Sequence, residues 1–341
     1  MEYFYKSYTF NCLDQKFLIN INANKSIHYY LDLYYEEIDK EFCKKTIAKE
    51  FTINIRSHIN INSDIVLSNR LKKNSSNEKL ICNLSNNIWI EFKSQVDFPM
   101  EYNIYYKEVN NFSILNILKS LRNLVSVNHI NELIIIELIR ISTIYPISAY
   151  LMSKGDCILL HASSYIDYQE YLHVYQGFDG CGKSTTALNR SLKSTNNNFY
   201  SDNFLIVRED GSASSFKEKA RLAKSSLKFL GNVNLKSLKT IAKKYLISLN
   251  HKRSVLDQNI FPIKTLTFLS FGDKYRRLKL NTDEYLINSQ LMYNLLPEFS
   301  LYRNYYELIT GNSLKVDKKI IKKILTSING KKIFIINKKS T

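Results

Sequence analysis

Proline and glycine are nearly missing from this chain of 341 residues, at four and nine. So little of either leaves few compositional linkers from which domain boundaries could be read. Cysteine is scarce as well. The five present, Cys12, Cys43, Cys82, Cys157 and Cys181, are odd in number, widely spaced and without a C-x-x-C pair. That pattern excludes a disulfide framework and a cysteine-based zinc site, and it fits reduced thiols in a cytoplasmic protein. The first residues, Met1-Glu2-Tyr3-Phe4-Tyr5-Lys6, place no basic segment before an apolar core, so no secretory signal is expected. Long uncharged apolar runs are also lacking. The most apolar stretch, 133–152, contains Glu137, Arg140 and Pro146, and reads as a buried helix with its continuation and not as a membrane span.

What is present is a composition able to fold. Hydrophobic residues make up 45% and aromatic residues 13%, enough to bury a core and to exclude wholesale disorder. The length allows two domains, or one domain with a large extension. The formal net charge of +17, from 48 Lys+Arg against 31 Asp+Glu, raises the question of an acidic partner. Yet lysines are spread along the chain together with many asparagines and isoleucines. The pairs at Lys318-Lys319, Lys322-Lys323, Lys331-Lys332 and Lys338-Lys339 are the nearest thing to a cluster. Nucleic acid is therefore not expected as a partner, and neither is a membrane.

Residues 1–110 read mostly as strands. Phe17-Leu18-Ile19-Asn20-Ile21-Asn22, Phe51-Thr52-Ile53-Asn54-Ile55 and Ile88-Trp89-Ile90-Glu91-Phe92 alternate or cluster β-branched and aromatic residues, and 102–106 reads as one more strand. This half shows no catalytic constellation, and packing, partner recognition or self-association are its expected roles. Near Asn111 the period changes to helical, with Ile114, Leu115, Ile117, Leu118, Leu121 and Leu124, then Ile130, Leu133, Ile134, Leu138 and Ile141. The boundary between a β-rich first domain, 1–110, and a second domain, 111–341, is placed there.

In the second domain a strand over 157–164, with His161 at its close, precedes the stretch Leu172-His173-Val174-Tyr175-Gln176-Gly177-Phe178-Asp179-Gly180-Cys181-Gly182-Lys183-Ser184-Thr185. Here three of the nine glycines fall within six residues, and Gly177, Gly182, Lys183 and Ser184 fit the phosphate-loop pattern G-x-x-x-x-G-K-[ST]. Glycines allow successive backbone N–H groups to turn inward around a polyphosphate, and the helix that follows points its positive end at the same anion. Lys183 can reach the outer phosphates, and the Ser184 hydroxyl can ligate magnesium. Asp179, Gly180, Cys181 and Thr185 complete the expected nucleotide-binding set, with the backbone and not the side chain of Cys181 in the active role.

Further on, 198–207 reads as two strands interrupted by Ser201-Asp202-Asn203, so that Asp202 ends a strand on the same sheet edge as the loop. Phosphoryl transfer needs an acid to hold metal or take a hydroxyl proton, and Asp202 is the candidate. A basic helix is expected over 216–230, with Arg221 able to meet the transferred phosphate or an acidic substrate. A strand over 261–269, helices over 282–296, 299–310 and 316–328, and a last strand, 333–336, close the chain.

Leu160-His161-Ala162-Ser163, the loop with Gly180-Cys181-Gly182-Lys183-Ser184-Thr185 and Ala187, and Ser201-Asp202-Asn203 together resemble the catalytic domain of bacterial HPr kinase/phosphorylase. The same order occurs in related enzymes that phosphorylate free serine and in those that modify ribosomal peptides. The strong part of the resemblance covers 159–207 and a weaker part covers 262–269. It implies an α/β (α+β) fold like that of phosphoenolpyruvate carboxykinase, a twisted mixed sheet with the phosphate loop at its edge, preceded here by the β-rich half. It also implies that His161 lies in the active site and that Asp202 is the general base or metal holder. Asn203 departs from the family, which often has a second aspartate there; asparagine can ligate magnesium but cannot accept a proton, so a reversible phosphorylase is not expected. The reading is an ATP- and Mg²⁺-dependent kinase acting on a hydroxyl, most simply serine, of a peptide, protein or small molecule. A nucleotide-binding subunit of a biosynthetic complex, without transfer activity, is the alternative. A nucleic-acid-directed enzyme is suggested by charge alone.

Overall fold

The chain opens with a long hairpin, β1 (Tyr3–Cys12) and β2 (Gln15–Asn24), turned by Leu13 and Asp14, both at positive φ. Asn24 then caps a helix, its Oδ1 accepting from Ile27 N at 3.0 Å, while its Nδ2 donates to the Tyr106 hydroxyl, also at 3.0 Å. That helix, α1 (Lys25–Tyr34), is absent from the sequence reading, because one short helix does not stand out among strands. β3 (Ile47–Ser57), β4 (Lys79–Ser85), β5 (Ile88–Lys93) and β6 (Glu101–Tyr106) complete a six-stranded sheet of order β1-β2-β3-β6-β5-β4. β3 runs parallel to β2 and β6, and the remaining pairs are antiparallel. The structure, a computed structural model, describes residues 2–35, 47–57, 79–85, 87–93, 98–108, 127–227, 238–247, 260–272, 276–279, 281–314 and 318–336. The expected helix over 114–124 and the proposed boundary near 110 lie outside the described residues.

Two apolar helices follow, α2 (Val127–Ser142) and α3 (Ile144–Ser153). Ile130–Ser153 is long and apolar enough to cross a membrane, but 83% of its most apolar window is buried inside the protein. α3 shows why: Tyr150 meets Phe17, Phe51 and Phe98 of the first half, with ring centroids at 6.1, 6.5 and 5.7 Å, while Tyr145 meets Phe204 of the second sheet at 6.2 Å. A helix hydrophobic all round is what such a position demands.

The second sheet is built from β7 (Cys157–Ile166), β8 (Leu172–Gly177), β9 (Asn198–Arg208), β10 (Ser212–Ser215), β14 (Phe261–Gly272), β15 (Arg276–Lys279) and β16 (Asn329–Ile336), in the order β10-β9-β7-β8-β14-β16-β15. β8, β14 and β16 are parallel neighbours, and the other ladders are antiparallel. β10 also pairs with the start of β14, so five strands close on themselves at that end. The helix α4 (Lys183–Leu192) packs on β7, β8 and β9. A three-stranded antiparallel sheet stands beside it, made of β11 (Ala220–Leu222), β12 (Thr240–Ile241) and β13 (Lys244–Ile247) in the order β11-β13-β12, with the one-turn helix α5 (Lys224–Leu227) after β11. The chain closes with α6 (Thr282–Leu295), α7 (Pro297–Thr310) and α8 (Lys318–Ser327) before β16. Pro297 opens α7, and Gly311, in the left-handed region, ends it by donating to Glu307 O. One buried cluster runs from Phe10 through the rings of Tyr145, Tyr302 and Tyr305 to Ile324.

The architecture is thus mixed α/β, and three details depart from expectation. β9 is one continuous strand, so Asp202 sits inside it and not at a strand end. Its partner β7 is equally long, pairs with it from Cys157↔Arg208 to Ile166↔Asn198, and carries His161 in its middle. Backbone pairing along both strands outweighs the turn preference of Ser-Asp-Asn. The glycine-rich turn follows the end of β8, the fourth of seven strands, at the edge of the sheet where that strand stops, as expected. Lastly, the expected helix over 216–230 is instead a chain turn, β11 and α5. Lys217 has φ +55°, which breaks a right-handed helix, and Glu218 bridges to Tyr35 while β11 pairs with β13.

Candidate functional site

β8 delivers its glycine loop by close backbone contact. A Cβ on Gly177 would stand 2.3 Å from Leu269 O and 2.8 Å from Cys181 Sγ, so neighbouring β14 leaves room only for glycine. The Cys181 side chain is buried beneath the loop, and burial raises its thiol pKa even though Lys183 pulls it down. The loop ends at Gly182, at φ +86°, which caps α4 and accepts from Thr186 N at 2.8 Å. Lys183, the first residue of the helix, is folded back and buried. Its ammonium donates to Gly177 O at 2.9 Å and Phe178 O at 3.2 Å, and lies 3.7 Å from the half-exposed carboxylate of Asp179.

Opposite the helix start stands Asp202, 2% exposed, held at both oxygens. Ser163 of β7 donates to Oδ1 at 2.9 Å, and Arg221 N donates to Oδ2 at 2.7 Å. The Ser163 oxygen is also 3.2 Å from Ser184 Oγ. Ser163 and Asp202 are direct cross-strand partners, and that register brings the hydroxyl to the carboxylate. A short chain of oxygens, Ser184–Ser163–Asp202, therefore links α4, β7 and β9 (Fully buried carboxylates are tolerated only with such partners).

These groups open on one cleft of about 170 Å³ lined by His161, Asp179, Gly180, Gly182, Lys183, Ser184, Thr185, Asp202 and Asn203 on the sheet side. Arg221, Leu222, Ala223, Ser226 and Lys244 form the other wall. Of the residues singled out from the sequence, Gly177 and Cys181 lie beneath the loop and the rest line the cleft. His161 is buried, its ring 5.9 Å from that of Phe204 and 6.1 Å from that of Phe299. Arg221 Nε and Asn203 Nδ2 are shielded from solvent with no hydrogen-bond partner among the described residues.

Four residues of this region escaped the sequence reading. Ser163 stood in a noted motif but carried no role, and only its register opposite Asp202 reveals one. Ser226 and Lys244 come from the far wall, part of which lies in a stretch with no motif. Glu218 looks like a surface residue of a basic helix, and it is buried.

No group of three or more His, Cys, Asp or Glu side chains able to hold a metal occurs among the described residues. The donor set that does converge, one carboxylate and one hydroxyl, suits a magnesium ion that takes its remaining ligands from phosphates and water. No family model matches this chain, and no curated protein matches it.

Proposed function

We propose that the protein transfers the γ-phosphate of ATP to an alcohol, with the serine hydroxyl of a peptide, protein or small molecule as the simplest acceptor. The observation that carries this reading is the convergence of the Gly182–Lys183–Ser184 helix start and the doubly anchored Asp202 on one cleft. It is supported by the resemblance of the flanking motifs to HPr-kinase-like enzymes.

Each residue has a defined task. Backbone N–H groups of the loop and the start of α4 bind the phosphate chain. Lys183, released from the loop carbonyls, neutralises the outer phosphates. Ser184 Oγ and Asp202 are the groups that would hold magnesium, which when bound supplies positive charge to the phosphates. Asp202, fixed by Ser163 and Arg221 N, takes the acceptor's proton. The acceptor oxygen forms a bond to the γ-phosphorus while the bond to the β–γ bridging oxygen breaks. ADP leaves with that electron pair, and a phosphate monoester is the product. Arg221 and Lys244 bring positive charge to the opposite wall, where the moving phosphate or an acidic acceptor would lie.

A second reading has its own observation. Both Asp202 oxygens are already engaged, and the neighbouring Asn203 cannot take a proton, which suits a subunit that binds nucleotide without transferring it. The two readings separate in an assay of labelled γ-phosphate transfer, with Mg²⁺, to free serine, small alcohols and serine peptides. Transfer that falls at least a hundredfold in both Lys183→Ala and Asp202→Asn supports the kinase. Transfer untouched by Lys183→Ala removes it, and tight ATP binding without any labelled acceptor favours the subunit.

A further inference from the structure

The segment between β10 and β11 is held in ways an ordinary connection is not. Lys217 adopts φ +55° although it is not glycine and is 6% exposed, with its ammonium 4.4 Å over the Tyr200 ring. A left-handed conformation at such a residue is strained and persists only where surroundings impose it. Glu218, 5% exposed, makes an antiparallel bridge with Tyr35, the residue that ends α1. Lys219 N donates to Tyr34 O at 3.0 Å, and two residues on, Arg221 N reaches Asp202 Oδ2 at 2.7 Å. The end of α1, in the β-rich half, and the proposed base are thus joined through four residues of chain, 218–221.

The choice of residue within that link is informative. Space-filling at a fully enclosed position calls for an apolar side chain, since a buried carboxylate is costly without compensating charge. At Glu218 that compensation is only partial. Arg140 of α2, Arg221 of β11 and the Tyr34 hydroxyl favour its charged form and Asp202 of β9 opposes it, and its own Oε1 makes no hydrogen bond among the described residues. We infer that Glu218 is a positioning residue for the proposed reaction: docked on the end of α1, it holds the 217–221 segment so that Arg221 N orients Asp202 and the Arg221 guanidinium stays at the cleft wall. The inference rests on the phosphoryl-transfer reading and gives the β-rich half a share in the site. Burial moves the Glu218 carboxyl up to about 7, against Arg140 and with Asp202 adding to the rise.

The test needs no acceptor. ADP affinity is measured by calorimetry with and without Mg²⁺, at pH 8, on the full chain and on Glu218→Gln and Glu218→Asp. At pH 8, Glu218→Gln is expected to lose about tenfold of the magnesium-dependent gain in affinity, as metal sites do when the support behind a ligand is removed. Its metal-free affinity stays within about twofold, since the loop and α4 are untouched. Glu218→Asp, which keeps the carboxylate, falls between the two. Equal behaviour of Glu218→Gln and the native protein overturns the inference alone, as does a loss that is the same with and without Mg²⁺. A native protein with no magnesium-dependent ADP affinity overturns the phosphoryl-transfer reading itself, and this inference with it. Should Glu218→Gln fail to fold, native-like magnesium dependence in a folded Glu218→Asp at pH 8 supports the charge requirement, and metal-free and metal-linked affinities falling together there refute it.

Discussion

Ser163 shows how much one hydroxyl can decide. Its oxygen joins a buried carboxylate on one strand to a hydroxyl in the first turn of a helix, and among the described residues no backbone group stands in for it at Asp202 Oδ1. The adjacent Ser164 makes an equally short bond, 2.8 Å, to Ser201, but there both partners are neutral. Hydrogen bonds to a charged acceptor are worth about twice those between neutral groups, and leaving a buried acceptor unmet costs about 1–3 kcal/mol. Ser163→Ala is therefore expected to lower unfolding free energy in urea by more than Ser164→Ala does. Equal losses, or a larger one for Ser164→Ala, would show that Asp202 does not depend on that donor. Glycine is the opposite case at the same scale. The pattern beginning at Gly177 was legible because steric demand selects a residue type outright, whereas serine is common and its importance at 163 comes only from what stands across the ladder.

Among the elements, the hairpin β12–β13 carries Lys244 to the cleft through a two-residue turn, with Ile241 paired to Lys244. Its central residues, Ala242 and Lys243, have φ +48° and +60°, the geometry of the mirror-image turns that favour Asn-Gly. Neither residue suits it, and the exposed Lys243 pays for the position with strain. Lys243→Gly should raise stability by about 1 kcal/mol, read as a shift in urea midpoint at constant slope. A drop in midpoint would mean that the lysine side chain contributes more than the backbone loses. The same element scale explains the one wrong helix. The 216–230 stretch has helix-forming lysines and leucines, but β11 gains a ladder with β13 and Glu218 gains the Tyr35 bridge, and such tertiary pairing overrides weak intrinsic preference.

Over the whole molecule, side-chain hydrogen bonds and ring contacts tie the β-rich half to the elements that follow it. The Tyr305 hydroxyl donates to that of Tyr102 at 3.1 Å, the Tyr35 and Thr143 hydroxyls meet at 2.5 Å, and Arg208 donates to Leu13 O at 2.8 Å. Around these bonds, Tyr150 closes on three phenylalanines of the first half. A fragment of residues 127–341 would bare that apolar surface and lose the Tyr34 and Tyr35 contacts behind Glu218. Expressed alone, it is expected to aggregate, or to bind hydrophobic dye without a cooperative thermal transition. A soluble fragment with a sharp transition would show instead that residues 127–341 fold without the β-rich half.

Some of this protein was settled by local chemistry alone. Alternating β-branched and aromatic residues specify β2, β3 and β5, helical spacing specifies α2, and a Gly-rich turn ahead of Lys183 and Ser184 specifies a strand-to-helix junction, because each depends on periodicity or sterics within a few residues. The tertiary structure alone decided that β9 runs unbroken through Asp202, that Ser163 stands opposite it, and that Glu218 is buried against α1. Those outcomes depend on register and burial between segments far apart in the chain, where the contact partner, and not the residue's own preference, sets the energy.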